Sequence, residues 1–312
     1  MKRKIYYSIL FFVALSCSRE TLIEDSCPVP EGDGLTFAAD LDNALKSHFD
    51  ENGTTLKWDT DDRVYVSSAY AEDGSGTPLA GGDKWGSAVT EIMPVKIKSD
   101  STKATFLSGK RRSAWVDAGD GKYSFYAVYP ASAVSKEFSP VIDEANLLWV
   151  PVEIPYSQDG KHFGKYQVCV DFTGTSYSKG TILDNTSTIQ FNNFQPKTAL
   201  LNFNATSSVG TVTVDRIDIT ASWADGEYHG LAPQLSGNAL VSETGVITTG
   251  WSLGGGCYSS VFLHFDTPVT ISESAGERIL AAIIPTIQTT PSSAVKLDFT
   301  AFDVDGNPRL EG

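Results

Sequence analysis

The hexapeptide Val295-Lys-Leu-Asp-Phe-Thr300 decides the fold class of this 312-residue chain. Its apolar side chains, Val295, Leu297 and Phe299, alternate with polar ones, and this period of two is typical of a strand with one buried face. Similar short runs, rich in valine, isoleucine, threonine, tyrosine and phenylalanine, recur along most of the chain between glycine, proline, asparagine and aspartate residues. That rhythm of apolar runs and turn residues predicts β-sheet.

We predict strands at the clearest of these runs, which are residues 35–39, 63–67, 104–107, 123–129, 147–152, 166–172, 188–191, 199–203, 211–220, 261–265, 278–284 and 295–302. Helical periodicity is limited to a short segment at residues 41–49. A chain of many strands without helices between them cannot form a parallel α/β sheet, because parallel crossovers use helices. The sequence therefore predicts an all-β protein with two tandem Greek-key β-sandwich domains.

The predicted boundary between the two domains lies near residues 180–188. The segment 174–185 carries glycine, threonine, serine and asparagine with few apolar residues, which is typical of a linker. We therefore predict an N-terminal sandwich at residues 34–185 and a C-terminal sandwich at residues 186–312.

The N-terminus has the pattern of a bacterial lipoprotein signal. Residues 2–4 are basic, residues 5–15 are apolar but shorter than the roughly 20 residues of a membrane-spanning helix, and a small serine precedes Cys17. We predict a signal peptide at residues 1–16, lipidation of Cys17 and a flexible tether at residues 17–33. An ordinary secretory signal with an incidental cysteine is the alternative. Both interpretations place the mature chain outside the cytoplasm, and the lipid would hold it at the outer membrane or cell surface.

The charge of the chain argues against some partners. The formal net charge is -14, and it becomes more negative when the basic residues of the signal are removed. Such an acidic chain repels nucleic acid and anionic lipid surfaces, so we expect no binding to DNA or RNA.

The cysteines do not form the framework of a disulfide-rich protein. The chain has four of them, and if Cys17 carries lipid, Cys27, Cys169 and Cys257 remain, which allows at most one internal bridge. We interpret Cys169 and Cys257 as small buried side chains.

No catalytic arrangement, cofactor site or metal site is predicted, and we expect no enzyme activity. The chain lacks a His-Glu-x-x-His motif, a Cys-x-x-Cys pair and a phosphate-binding loop. The stretch Asp303-Val-Asp-Gly-Asn307 begins like a calcium loop, but a tight Asp-Gly turn is the preferred interpretation. The acidic stretch 59–62 could hold a cation, and a solvated turn is preferred there too.

Tryptophans offer flat aromatic faces on which sugar rings can stack. Trp58 and Trp149 lie in strand-like runs, and we expect them in the core. Trp85 and Trp251 lie beside glycines in predicted loops, so they are the candidate ligand contacts.

An ordered series of short motifs links this chain to a known family. In chain order the motifs are Leu35-Thr-Phe-Ala-Ala39, Leu56-Lys-Trp-Asp59, Asp62-Arg-Val-Tyr-Val66, Ala104-Thr-Phe-Leu-Ser-Gly109, Tyr123-Ser-Phe-Tyr-Ala-Val-Tyr-Pro130, Ile154-Pro155 with Gln158, Ile189-Gln-Phe-Asn-Asn-Phe194, Ala199-Leu-Leu-Asn-Phe203, residues 214–220 and Ile283-Ile-Pro285. Together with the lipoprotein signal, this order resembles the fimbrillin family, the lipoprotein precursors of fimbrial subunits in anaerobic Gram-negative gut and oral bacteria. The resemblance covers residues 33–300.

The resemblance implies a polymerisation mechanism. A surface protease would remove the first strand, Leu35, Thr36, Phe37, Ala38 and Ala39, and a strand of a neighbouring fimbrial subunit would fill the groove. We place the cut between Ala39 and Trp58. The protease of the family prefers arginine, and the basic residues in this interval are Lys46 and Lys57, so a tip, anchor or unprocessed subunit is an alternative role.

The resemblance also leaves two points open. The family continues past the strand at residues 295–302 with closing strands, whereas this chain stops at Gly312 soon after a turn-like stretch. We therefore expect either a truncated chain or a second sandwich without its closing strands, and hence an open sheet edge. The alternative function is a surface lipoprotein that does not polymerise and binds a glycan or a host protein.

Overall fold

The computed structural model of the chain describes residues 33–40, 48–49, 56–58, 60–72, 89–97, 103–116, 121–135, 138, 140–142, 147–161, 163–173, 176–184, 188–192, 194–226, 233–248, 256–274, 276–285 and 294–311. These residues fold mainly into strands that form several sheets, and the predicted all-β class is confirmed.

The strands of the described residues are β1 (Gly34–Asp40), β2 (His48–Phe49), β3 (Leu56–Lys57), β4 (Arg63–Glu72), β5 (Thr90–Ile97), β6 (Lys103–Arg111), β7 (Lys122–Tyr129), β8 (Val141–Ile142), β9 (Leu148–Ile154), β10 (Ser157–Gln158), β11 (Cys169–Phe172), β12 (Tyr177–Ser178), β13 (Ile189–Phe191), β14 (Gln195–Pro196), β15 (Ala199–Ala205), β16 (Val212–Trp223), β17 (Ser236–Ser242), β18 (Ile247–Thr248), β19 (Cys257–Tyr258), β20 (Ser260–Ile271), β21 (Glu277–Ile283), β22 (Val295–Phe302) and β23 (Pro308–Glu311). The helices are short: α1 (Phe163–Tyr166), α2 (Lys179–Leu183) and 3₁₀ turns at Arg112–Trp115 and Ala131–Ala133.

The largest sheet has nine strands in the order β13-β1-β6-β5-β4-β7-β11-β14, and β12 also pairs with β7. Every second residue of its strands faces one core. Val64 and Val66 of β4 and Ala104 and Phe106 of β6 are buried there. The aromatic members of this first core are Phe37, Trp58, Phe106, Trp115, Tyr123, Phe125, Tyr129, Phe191 and Phe194.

Two further large cores lie in the described part of the chain. The second core lies between the sheet β10-β20-β16-β22-β23 and the pair β15-β21, with Ile219 and Leu263 fully buried. The third core contains Val128 and Val170 of the nine-stranded sheet together with side chains of the sheet β18-β17-β9-β8, to which β19 is added. One face of the nine-stranded sheet is therefore covered by the sheet β18-β17-β9-β8.

Strand pairs cross the predicted domain boundary at residues 185 and 186. β1 pairs with β13, with Phe37 opposite Ile189, and β17 pairs with β9, with Val241 opposite Val150. The division into residues 34–185 and 186–312 stays a prediction, and any such division would have to break one of these ladders.

The predicted linker at residues 174–185 contains a packed helical turn. The hydroxyl of Ser178 caps α2 by accepting a hydrogen bond from the backbone N of Thr181 at 3.1 Å. Ile182 is fully buried in the first core. The segment is therefore anchored to the first sandwich, and the polar composition around Ile182 concealed this anchor.

Among the longer strands of the described residues, β5 and β17 have no counterpart in the predicted runs. β5 contains Pro94, and its Ile92 side chain is 58% exposed, so the apolar alternation is interrupted. β17 is the run Ser-Gly-Asn-Ala-Leu-Val-Ser, which is buried at every position. Burial against neighbouring strands, not the intrinsic preference of these residues, makes this segment a strand.

Three local predictions need correction. The predicted helical segment 41–49 lies mostly outside the described residues, and its last two residues form strand β2. The strand predicted at residues 166–172 begins only at Cys169, because α1 ends at Tyr166. The sequence predicts no strand after residue 302, but Pro308–Glu311 form β23 against β22.

Asp303 organises the turn between β22 and β23. Its Oδ1 accepts hydrogen bonds from the backbone N of Asn307 at 2.8 Å and of Asp305 at 3.0 Å, and Arg309 Nε donates to Oδ2 at 2.7 Å. The hydrogen bonds from Asn307, and then that from Arg309, lower the pKa of the Asp303 carboxyl. Gly306 has a φ of 77°, a conformation that glycine adopts without strain. The predicted Asp-Gly turn is confirmed.

Gln158 ties the two layers of the second sandwich together. It is 2% exposed. Its Nε2 donates to the carbonyl of Ala282 at 2.7 Å and to that of Pro155 at 2.9 Å, and its Oε1 accepts from the backbone N of Ala282 at 2.8 Å. β10 pairs with β20 in one layer, and Ala282 lies on β21 in the other layer. The Gln158 side chain therefore supplies the hydrogen bonds that a neighbouring strand would give to the backbone of Ala282.

Candidate functional site

The candidate site is the groove that holds β1. β1 pairs antiparallel with β6, from Asp40 opposite Lys103 to Gly34 opposite Arg111. On its other side it pairs in parallel with β13. Both edges of β1 are therefore hydrogen-bonded, and removal of this strand would expose the backbone edges of two neighbours at once.

The side chains of β1 fill the first core. Leu35 and Phe37 are both 0% exposed. The Phe37 ring contacts Trp115 at 5.4 Å and Phe125 at 5.3 Å between centroids, edge to face, and stacks on Phe191 at 6.0 Å. Such aromatic pairs add about 0.5–1.5 kcal/mol each beyond burial. Phe37 is therefore the main anchor of the strand.

The beginning of β1 needs glycine. The register with β6 shifts between Gly34 and Thr36, which is the signature of a β-bulge. A Cβ at Gly34 would overlap the carbonyl oxygen of Ser108. A strand that occupies this part of the groove in the same register must carry glycine before its first apolar anchor.

A polar network that begins at the buried Trp115 and ends at the surface supports the wall of the groove beside Phe37. Trp115 Nε1 donates to Ser108 Oγ at 2.9 Å, and Ser108 Oγ donates to Glu91 Oε2 at 2.6 Å. Glu91 Oε1 also accepts from the backbone N of Gly109 at 2.7 Å. Trp115 is 1% exposed, so its indole N–H depends on this hydroxyl.

Surface contacts hold the chain as it enters β1. Asp33 lies 3.5 Å from Arg112 and 3.8 Å from Arg111, counted between carboxylate oxygens and guanidinium nitrogens. The backbone N of Arg112 donates to the Asp33 carbonyl at 3.1 Å. Exposed ion pairs of this kind contribute about 0–1 kcal/mol, so the anchors of β1 are its apolar side chains.

The chain is anchored again at Trp58, as the sequence predicts. Trp58 is 3% exposed and packs edge to face on Tyr129 at 5.1 Å and Phe106 at 5.9 Å. Lys57, a predicted processing residue, lies in strand β3. The predicted processing interval is thus bounded by β1 on one side and by a core tryptophan on the other.

Several predicted site residues lie outside the described residues. These are Cys17, Lys46, Trp85 and Trp251. Lipidation, the cut at Lys46 and ligand contact by the two tryptophans therefore stay predictions. Trp149, which the sequence places in the core, is only partly buried.

The described titratable groups do not converge on a reactive centre. Cys169 is 1% exposed, and burial raises the pKa of its thiol, an effect that Lys197 reduces. A thiol in this state is a poor nucleophile at neutral pH. Cys257 is partly buried, and both cysteines are free. No group of histidine, cysteine and acidic residues within the described ranges is arranged to hold a metal ion.

An exposed aromatic cluster was not found from the sequence. Tyr156 and Tyr258 are 48% and 45% exposed, and their ring centroids lie 5.3 Å apart. Phe262 lies 6.1 Å from Tyr156, with the two rings perpendicular. Tyr258 and Phe262 are near each other in sequence, whereas Tyr156 is about 100 residues away, and the parallel pairing of β10 with β20 brings it to them.

No protein-family model and no curated protein matches this chain. Among solved structures, a candidate cell adhesion protein of Bacteroides fragilis is 12% identical with a TM-score of 0.37, over 90% of this chain and 87% of the other. A candidate adhesin of Bacteroides ovatus is 11% identical with a TM-score of 0.33, over 89% and 81%. A fimbrial assembly protein of Parabacteroides distasonis is 8% identical with a TM-score of 0.27, over 89% and 98%. At this level of similarity the functional assignment depends on the residues of the chain itself.

None of the helices in the described part of the chain has the length and apolar character to cross a membrane.

Proposed function

We propose that this chain is a structural or adhesive subunit of fimbriae, exported as a lipoprotein through Cys17 and assembled by strand exchange. In this proposal β1 is removed by proteolysis, and a strand of another subunit takes its place between β6 and β13. The partners are other subunits at the cell surface, and the proposal assigns no catalytic step to the chain.

One observation carries the proposal: β1 is a short strand that pairs with β6 along its length and with β13 from Phe37 to Ala39, and its apolar side chains fill core pockets. In strand addition, backbone hydrogen bonds supply pairing and alternate side chains fill pockets to supply specificity. Leu35 and Phe37 have that spacing, and both are fully buried. The other strands of the sheet form a continuous path on one side of β1, from β6 to β14. A donor strand could therefore replace β1 without a change in their order.

The position of the cut follows from the two anchors that flank it. Cleavage between Ala39 and Trp58 would separate β1 from the body, and Trp58 would keep the new N-terminus attached to the core. β1 would then be held by non-covalent contacts alone, and a competing strand could displace it.

A competition experiment tests this proposal. A specific protease site is inserted within residues 41–55 of the full chain, and the cut protein is incubated at high concentration. We expect a ladder of oligomers that resists heating in detergent. An excess of a synthetic peptide with the sequence of Gly34–Asp40 should suppress the ladder, because it refills the groove.

The control peptide carries Leu35→Ser and Phe37→Ser, and it should not suppress the ladder because it cannot fill the two apolar pockets. Cut protein that stays monomeric after β1 has been released would overturn strand exchange. A ladder that both peptides leave unchanged would show assembly through another surface.

The aromatic cluster of Tyr156, Tyr258 and Phe262 favours a second function, glycan binding by a surface lipoprotein that does not polymerise. Exposed tyrosine rings can stack on the faces of sugars while their hydroxyls stay hydrated. If this function holds, uncut protein is retained on a glycan array, and Tyr156→Ala and Tyr258→Ala each reduce retention at least about tenfold. The control is Val304→Ala, at another exposed apolar position, which should leave retention unchanged. Retention that survives both tyrosine changes would exclude this cluster.

A further inference from the structure

β22 is a half-covered edge of the second sandwich. Along its whole length, from Val295 to Phe302, it pairs with β16. On its other side β23 pairs only with Thr300, Ala301 and Phe302. Among the described strands, none pairs with the outer edge of residues 295–299. This five-residue stretch therefore presents backbone donors and acceptors that suit an added strand.

The core beside this edge is incompletely covered. Val295, Leu297 and Phe299 of β22 are only partly buried, and so are Leu201 and Phe203 on the facing strand β15. The rings of Phe203 and Phe299 contact each other at 4.9 Å between centroids. Within the described part of the chain β15 pairs with β21 alone. Both layers of the second sandwich thus end in half-exposed apolar strands on the same side.

The charges on the outer face of this edge alternate in sign. Lys296 and Asp298 are 60% and 46% exposed, and they form an ion pair with each other at 2.6 Å. Their neighbours across β16 are Ser222 and Thr220, which are neutral. No charged neighbour on β16 therefore competes with a strand that approaches these two side chains from the open side.

We propose that the open edge of β22 pairs antiparallel with the same edge of a second copy of this chain, about a two-fold axis at Leu297. A two-fold axis perpendicular to the sheet keeps the inner faces of both copies on the same side. The sheets β10-β20-β16-β22 of the two copies then form one continuous sheet, and the half-exposed phenylalanines of each copy are covered by the apolar side chains of the other.

The sequence of the edge selects this register over its neighbours. Directly opposite residues of an antiparallel pair point to the same face of the sheet. The apolar faces of the two copies therefore coincide only when the two-fold axis passes through a residue, not between two residues. With the axis at Leu297, Lys296 lies opposite Asp298 of the second copy, and Val295 lies opposite its Phe299. An axis at Lys296 or at Asp298 would place two lysines or two aspartates opposite each other. Opposite charges stabilise such cross-strand pairs and like charges destabilise them.

A charge-exchange series tests the interface by sedimentation of the full chain, over a concentration range up to about 0.5 mM because an interface of this size is weak. Lys296→Asp and Asp298→Lys should each raise the dimer dissociation constant about tenfold, because each places like charges opposite each other twice. The double variant with both changes should restore it to within about threefold. An equimolar mixture of the two single variants should form heterodimers, because two acidic side chains of one copy then face two lysines of the other.

Asp298→Lys distinguishes the proposed register from a dimer that is controlled only by repulsion between two acidic chains. It makes an acidic chain less negative, so general repulsion predicts a tighter dimer and the proposed pairing predicts a weaker one. Lys96→Asp, on the exposed side of β5, is the matched charge control and should leave dimerisation unchanged. A chain that is monomeric over the whole range, or single variants that dimerise like the parent, would overturn the proposal. Because this interface does not involve β1, the Gly34–Asp40 peptide should not affect it, so the result is independent of strand exchange.

Discussion

Replacement of Phe37 by alanine should lower the free energy of unfolding by about 3–5 kcal/mol, the range for removal of a buried phenylalanine ring. The ring is 0% exposed and contacts three aromatic neighbours, Trp115, Phe125 and Phe191. Those neighbours belong to different elements, so they cannot close the cavity by a single movement. Urea denaturation followed by tryptophan fluorescence measures the change.

The matched control for this prediction is Thr36→Ala on the same strand. Thr36 is only partly buried, and its side chain points away from the aromatic core because successive residues of a strand alternate. We expect a loss of less than about 1 kcal/mol from this change. If strand exchange is correct, Phe37→Ala in the cut protein should also accelerate oligomer formation, because the resident strand is held less tightly. Equal effects of the two substitutions on stability would contradict the role of Phe37 as the anchor.

Gln158→Leu should lower the free energy of unfolding by about 2–5 kcal/mol. The leucine has a similar volume but cannot bond to the backbone, so the N–H and the carbonyl of Ala282 lose the partners they have at 2.8 and 2.7 Å. Ala282 is 0% exposed, so water does not replace those partners easily. Each buried polar group without a partner costs about 1–3 kcal/mol. Hydrogen exchange of the Ala282 amide should accelerate together with the loss of stability.

An exposed glutamine provides the control for this substitution. Gln190 on β13 is solvent-exposed, and Gln190→Leu makes the same chemical change at a position where no buried backbone group depends on the side chain. Its effect should lie within about 0.5 kcal/mol. Gln158→Glu should destabilise at least as much as Gln158→Leu at neutral pH, because it places a buried carboxylate beside the carbonyls of Pro155 and Ala282. A Gln158→Leu variant as stable as the parent would exclude the bridging role.

The strands that the sequence predicts best are those whose own residues alternate between apolar and polar side chains. β22 has the bounds that its alternation predicts, and β1 extends the predicted run by one residue at each end. β17 could not be predicted, because its serines, glycine and asparagine become buried only when β9 and β19 pair with it. Ile182 was overlooked because one adjacent apolar pair, Ile182 and Leu183, in a polar stretch gives no periodicity.

The candidate groove was predicted in part. The spacing of Leu35 and Phe37 indicates an inward-facing pair, and both are buried. The sequence does not indicate that the partner on one side is β13, about 150 residues away and parallel, because strand order depends on the packing of the whole sheet. The serine that supports Trp115 was missed in the same way, since a lone serine in a strand carries no signal of its own.

The third core has a mechanical consequence. Val128 and Val170 belong to the same buried cluster as Ala239 and Val241, so side chains from both halves of the sequence share one packed interior. A load applied to the two ends of such a molecule would pass through this interior, not through a hinge. Close-packed interiors have low compressibility, and a filament built from such units would bend at the joints between subunits and hardly at all within them.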